Sequence, residues 1–564
     1  MTPPVPTPRQ VADGYVDRLC ELDPTLATAL GRTPAPDGLP DLSPAGLSAV
    51  AELQRATLAE LDRVEAAGAA AELVEQRCAR LLRERLTAEL DLHEAGEGLR
   101  ALSNLFSPVH EVRQVFELMP TDTTQDWEVV AQRLARVPEA YRGYCATLTE
   151  GAAQGLFAAP LQVETVLEQL AEWSAGPYFA SFVADGPAGL RTTLDEAAGA
   201  ADAAVVEVHR FLRDTYAPQT AGTPDAVGRE RYARFARYWN GTDLGRGTGL
   251  EDAFAFGWSE VRRIRDEQRA VAEQVLPGST PRQAMDWLTE HGEVVEGVEQ
   301  IRLRLQQIMD EAIDALDGTH LDLAPPIRRV EAMIAPPGSA AAPYYTEPSQ
   351  DFSRPGRTWL PTLGRDRFPL WDLVSTWYHE GVPGHHLQLA QWTHVAGSLS
   401  TFQTVVGAVG ADVEGWALYA ERLMDELGFL TDPGVRLGYL DGQQLRAVRV
   451  VIDIGMHLGL PVPEDADGVL AEHRGQPWTR ALGRAFLGEH CGGDPEYLDS
   501  ELVRYLGMPG QAISYKLGER AWLAGRAAAQ AAHGDAFDLK AWHMAALSQG
   551  SLGLDDLVEA LAAL

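Results

Sequence analysis

The sequence predicts a mainly α-helical chain, and three observations carry that prediction. Alanine, leucine, glutamate and arginine dominate long stretches, and these side chains lose little freedom in a helix. Apolar residues recur at spacings of three and four, which lays a stripe along one helix face. Glycine and proline gather at 32–44, 185–189, 217–225, 335–343 and 353–366, ending helical runs without a long flexible linker.

At 564 residues the chain can bury a large core as packed lobes, and we expect one unit over 1–564 with a catalytic core at about 330–530. Cys20, Cys78, Cys145 and Cys491 stand singly, so neither a disulfide framework nor a thiolate zinc site is expected. The first twenty residues lack a basic segment followed by an apolar run, and no stretch has the length of a membrane helix, which predicts a cytoplasmic protein. The formal charge of −34 repels phosphate backbones and anionic lipid. Nucleic acid and membranes are therefore not expected partners, while a homo-oligomer stays open.

From Val294 to Leu316, the residues Val294, Val295, Val298, Ile301, Leu305, Ile308 and Ile313 form one stripe and predict helix. The pattern breaks at 339–363, which is rich in aromatic, proline and serine residues and predicts a short strand and loop. Tyr345 and Arg354 in this segment are candidates for lining a cleft.

Residues 371–390 read WDLVSTWYHEGVPGHHLQLA. An apolar helix runs into His379 and Glu380 and, after a Pro-Gly interruption, into His385 and His386. In HExxH the two imidazoles share a helix face and the glutamate polarises a metal-bound water. Here the fourth position after His379 is Pro383, which has no N–H to donate, so a bulge or kink is expected. His385 needs the smaller distortion to become the second ligand, and His386 is the alternative. The helix expected over 412–426 offers Glu414 as third ligand. Glu421, seven residues on and on the same face, is its rival.

Two later segments supply supporting groups. In 444–460, Arg449, Asp453 and His457 follow at intervals of four on one face. They make either a salt-bridged structural helix or a set in which Asp453 orients a ligand histidine and His457 touches substrate. The segment 501–519 reads as helix, Pro-Gly turn and second helix carrying Tyr515 and Lys516. Tyr515 is a candidate donor to an oxyanion, because a phenol stays protonated near neutral pH.

These motifs, YHEGVPGHHLQ, EGWALYAE, APYYTEPSQDFSRPGRTWL, RVVIDIGMH and RYLGMPGQAISYKLGE, resemble the bacterial DUF885 family, whose members look like distant relatives of the M32 carboxypeptidase group of zincin metallopeptidases. The resemblance runs nearly end to end. It implies an elongated, multi-helical zincin-like fold with a deep central cleft and a small β element. It also puts His379, Glu380 and Glu414 in metal and base roles, although M32 enzymes carry an ordinary HExxH.

The expected activity is zinc-dependent hydrolysis of short peptides, with His379, His385 and Glu414 as ligands, Glu380 as base and Tyr515 steadying the oxyanion. Zinc suits such a donor set best, and cobalt or manganese is admitted. Arg354, Arg449 or Lys516 would hold a substrate carboxylate, giving a carboxypeptidase. The alternatives are a metal-dependent amidohydrolase acting on a small non-peptide amide and a catalytically silent peptide binder. A helical scaffold without metal is a further alternative.

Overall fold

The structure is a computed structural model that describes residues 5–32, 37–336, 342–493 and 495–564. Parts of two expected breaks, 33–36 and 337–341, lie outside the described residues. Helices dominate, with 23 α-helices and five short strands among the described residues, and none of these helices is long and apolar enough to cross a membrane.

Two compact units emerge, one of Met1–Ala71, Arg85–Val227 and Val503–Met508, the other of Glu72–Glu84, Gly228–Leu502 and Pro509–Leu564. In the first, the helix Arg191–Phe211 buries Leu194, Ala198, Ala201, Val205 and Val208 along one stripe. Its alanines let the helices Thr124–Leu134, Val137–Ala153 and Pro160–Ala175 pack closely around it. Buried tyrosines find partners there, Tyr141 donating to the Val109 carbonyl at 3.1 Å and Tyr144 to that of Ala101 at 2.7 Å.

The second unit holds the motifs. Its longest pairing sets the helix Gly249–Val275 against Pro433–Leu458. The latter is started by the Asp432 side chain, which accepts from the Val435 N–H, and ended by Gly459 at a left-handed φ of 61°. Gly410–Glu426 crosses Ser514–His533 where Gly415 meets Gly518, so close that a Cβ on Gly415 would lie 2.4 Å from the Gly518 backbone. Leu373–Glu380 packs on both Gly410–Glu426 and Pro433–Leu458.

The strands form two small sheets. β1 (Val294–Glu296) pairs antiparallel with β5 (Arg367–Pro369), Val295 facing Phe368. Val294 and Val295 are thus strand residues, which corrects the expectation of helix from 294 onward. Gly297, at φ 96°, turns the chain out of the sheet, and helix begins at Val298. In the other sheet β4 (Gly356–Leu360) is central, parallel to β2 (Val330–Ile334) and antiparallel to β3 (Tyr344–Thr346). β3 and β4 lie within the segment that the sequence marked as strand and loop.

Candidate metal centre

The chain does not bulge between its histidines; it starts a new helix. Leu373–Glu380 ends at Glu380, a turn takes residues 381–384, and His385–His394 begins immediately after. Pro383 could not have continued the first helix. Within the turn the Gly384 N–H bonds the Tyr378 carbonyl at 3.0 Å and the His386 N–H that of Gly381 at 3.1 Å. Gly384 runs so close to His379 that a Cβ would meet its carbonyl oxygen at 1.9 Å. Trp416 holds the turn from outside, its indole N–H donating to the carbonyls of Pro383 at 2.9 Å and Gly384 at 3.1 Å. Trp416 and Glu414 share a helix, so one element both fixes the turn and delivers the carboxylate.

Three donors converge there. Glu414 Oε2 lies 3.4 Å from His379 Nε2 and 3.6 Å from His385 Nε2, and the imidazole planes stand at 84° with centroids 4.7 Å apart. All three donor atoms fall within 4.8 Å of one another. Bonds of ~2.0–2.2 Å around a tetrahedral zinc put neighbouring donors ~3.3–3.6 Å apart, and both spacings from Glu414 match that range. The same Oε2 is buried, and among the described residues its two imidazole contacts fall short of hydrogen-bond geometry, a costly state that a cation would complete.

The surroundings orient the donors. Glu421 Oε1 lies 2.8 Å from His379 Nδ1 and its Oε2 accepts from the Ser375 hydroxyl at 2.6 Å. Glu421 thus takes up the Nδ1 side of His379, which leaves Nε2, the nitrogen facing Glu414, as the one a metal would take. Burial pushes the Glu414 carboxyl up, but the two imidazoles outweigh it and hold it well below the usual carboxylate range. Burial would likewise lower His379, and its contacts with Glu414 and Glu421 instead raise it to about 9. A cation must displace that proton, so binding would weaken in acid. Glu380 is pushed up by burial, opposed by His385 and His379.

The donors and Glu380 open on a cavity of about 530 Å³ whose walls also carry Tyr345, Arg446, Arg449 and Tyr515. His386 takes no part among the donors. It is fully buried and turned to the sheet, its Nε2–H donating to the Ile327 carbonyl at 2.7 Å while the Tyr345 hydroxyl donates to Nδ1 at 2.9 Å. Burial pushes its pKa down to about 4. Arg449 faces the cavity across the Tyr515 ring, 4.8 Å from its centroid, with the guanidinium bonded to Glu501 at 3.0 and 2.8 Å.

Several expected groups lie elsewhere. Lys516 is fully buried and committed to Gln443, Glu519 and Glu260 at 2.6, 2.6 and 3.1 Å, so a substrate carboxylate does not reach it. His457 is buried against Asp453 and the Tyr232 ring, and does not line the cavity. Asp453 receives the Tyr232 hydroxyl at 2.7 Å and the Gly510 N–H at 3.0 Å, and it is Glu421 that orients His379. Arg354 sits exposed on the loop between β3 and β4 and does not line the cavity, although its charge reaches Tyr345 in the wall. The sequence reading passed over Ser375 and Arg446. For Glu421 the signal was its place two turns beyond Glu414, which suits a partner of the first histidine as well as a rival ligand.

Two solved structures share this fold along nearly their whole length. One, a candidate lipoprotein from Colwellia psychrerythraea, is 21% identical, with a TM-score of 0.78 over 98% of each chain. The other, a candidate lipoprotein of unknown function from Shewanella oneidensis, is 18% identical, with a TM-score of 0.72 over 98% of this chain and 99% of its own. At these identities the likeness speaks for the fold alone. No curated protein matches the chain in sequence. Residues 24–561 match the family of bacterial proteins of unknown function called DUF885, and to that family this chain belongs.

Proposed function

We propose that this protein is a metal-dependent hydrolase of peptide bonds acting on short peptides, with a zincin-like, M32-like catalytic unit. The observation that carries the reading is the convergence of His379 Nε2, His385 Nε2 and the unpartnered Glu414 Oε2 beside the buried carboxyl of Glu380. Two imidazoles and a carboxylate suit zinc, which when bound supplies Lewis acidity toward water and a carbonyl.

The chain's own groups would do the rest. Glu380, held near the carbonyl in a water-poor wall, takes a proton from the attacking water and passes it to the departing amine. Its raised pKa suits it to hold that proton between the two steps. Tyr515 in the same cavity donates toward the carbonyl oxygen as negative charge builds there. The cavity takes a few residues of extended chain, which favours short peptides over folded proteins.

The test is metal content by mass spectrometry together with cleavage of a mixed peptide library. We expect one zinc per chain, lost in His379→Ala, His385→Ala and Glu414→Ala and kept in His386→Ala. Glu380→Gln should keep the metal and lose about 10²–10⁴-fold in rate. Metal with no cleavage of any peptide, but with turnover of acylated amines, would replace the peptidase with an amidohydrolase. A chain without metal would end the proposal.

A further inference from the structure

Resting on that reading, we propose that Arg446 is the anchor for the substrate's terminal carboxylate, which makes the enzyme a carboxypeptidase acting on the last residue or two of a free C-terminus. Among the described cations near the cavity, Arg446 is the one with donors to spare. Arg449 is occupied by Glu501, Lys516 by Gln443, Glu519 and Glu260, and Arg354 does not line the cavity. Arg446 lines the cavity with its side chain 15% exposed. Its contacts are long: 3.9 Å to Glu421 Oε1 and 5.9 Å to the centroid of the Tyr515 ring, while its buried Nε has no partner.

The acids around it are already engaged. Glu421 takes the His379 N–H on one oxygen and the Ser375 hydroxyl on the other. Asp441, also in the wall, takes the Gly492 N–H at 2.9 Å. A planar guanidinium with five N–H groups and no good acceptor, lining a cavity, is matched by a carboxylate bound through two parallel hydrogen bonds.

Its position sets the direction of cleavage. Two contacts, of 3.9 and 2.8 Å, link Arg446 through Glu421 to the ring of His379. The anchor is thus one or two extended residues, at ~3.4 Å each, from the atoms that would hold the metal. A carboxylate fixed there brings the ultimate or penultimate peptide bond to Glu380. The same fork would accept an acidic side chain, so the test must separate the two sources.

The experiment is calorimetric binding to the zinc-loaded Glu380→Gln protein, in which bound peptide persists. The probes are the tripeptide Ala-Ala-Phe as free acid, its C-terminal amide, and the amide of Ala-Ala-Asp. We expect the free acid to bind about 10- to 100-fold tighter than either amide. Adding Arg446→Gln should abolish that preference while one zinc per chain remains, and Arg446→Lys should keep a fraction of it through charge alone. The Arg446→Lys arm also decides the matter if the glutamine variant loses zinc. Equal binding of acid and amide, an unchanged preference in either Arg446 variant, or no binding of the three probes would overturn the proposal. Tight binding of the Asp amide would reassign Arg446 to acidic side chains. Absence of wild-type cleavage with the acid preference intact would instead count against the peptidase reading.

Discussion

At the scale of single residues, the site is built from polar groups whose partners are nearly all accounted for, and the exceptions mark its chemistry. Glu421 is the clearest case. It lies 2% exposed, does not itself line the cavity, and still decides which nitrogen of His379 faces it. Replacing it by glutamine keeps the shape and removes the charge that favours the Nδ1 proton. Glu421→Gln should therefore weaken metal affinity about 10- to 100-fold, read by competition with a chelator, with little change in far-ultraviolet dichroism. An unchanged affinity would mean the tautomer is set elsewhere. The sequence exposed His379, Glu380, His385 and Glu414, which the fold brings to one cavity, because they are unusual residues in apolar company. It could not tell buried partners from solvent-facing ones. Arg446, Arg449 and Lys516 read alike as cations on helices, and only three-dimensional neighbours show which is already paired.

At the scale of helices and strands, periodicity was legible wherever one face of an element is buried along its whole length, as in Pro433–Leu458. It failed only at 294–297, where two valines continue the helical spacing by coincidence and a glycine at positive φ separates strand from the helix Val298–Leu316. The expected bulge between the histidines became a complete break because proline and glycine together admit a turn that a neighbouring indole then holds. Helix crossings were not legible at all, since a glycine in a helix looks like a weakness until its partner is seen. Gly415 on Gly518 is such a crossing, next to Glu414. Gly415→Ala would force the two backbones apart and should cost about 1–3 kcal/mol, seen as a lowered melting temperature and weaker metal retention. Gly397→Ala, with nothing within 4 Å of its new Cβ, is the control.

Across the whole molecule, buried titratable groups pull stability in opposite directions with pH. His543 is 1% exposed and its Nε2 meets the Tyr419 hydroxyl at 2.7 Å. Burial, with Arg526 nearby, pushes its pKa down to about 3. The unfolded chain takes up this proton near pH 6.5 and the folded chain refuses it, so the contribution of His543 is complete above 6.5 and is lost as pH falls. Carboxyls such as Asp412, pushed up to about 7 by burial, act with the reverse sign, so the wild-type curve mixes both effects. The difference between wild type and His543→Gln isolates the histidine. Between pH 7 and pH 5 the variant should gain about 2 kcal/mol relative to wild type, measured by paired denaturant titrations. A difference independent of pH would place that proton elsewhere.

The turn at 381–384 has a bearing on how such sites are found. A catalytic signature is usually written as a count of positions, and the count stands for a distance only while the helix is unbroken. Here two extra residues are absorbed by the turn, and the second imidazole still arrives beside the first, mounted on a helix of its own. The quantity that persists is the meeting of two imidazole nitrogens and a carboxylate oxygen, with spacing free to vary around it. Chains that read HE, four residues, H, followed by a glutamate about 35 positions after the first histidine and another a further seven along, share the ingredients of this site while failing the shorter pattern.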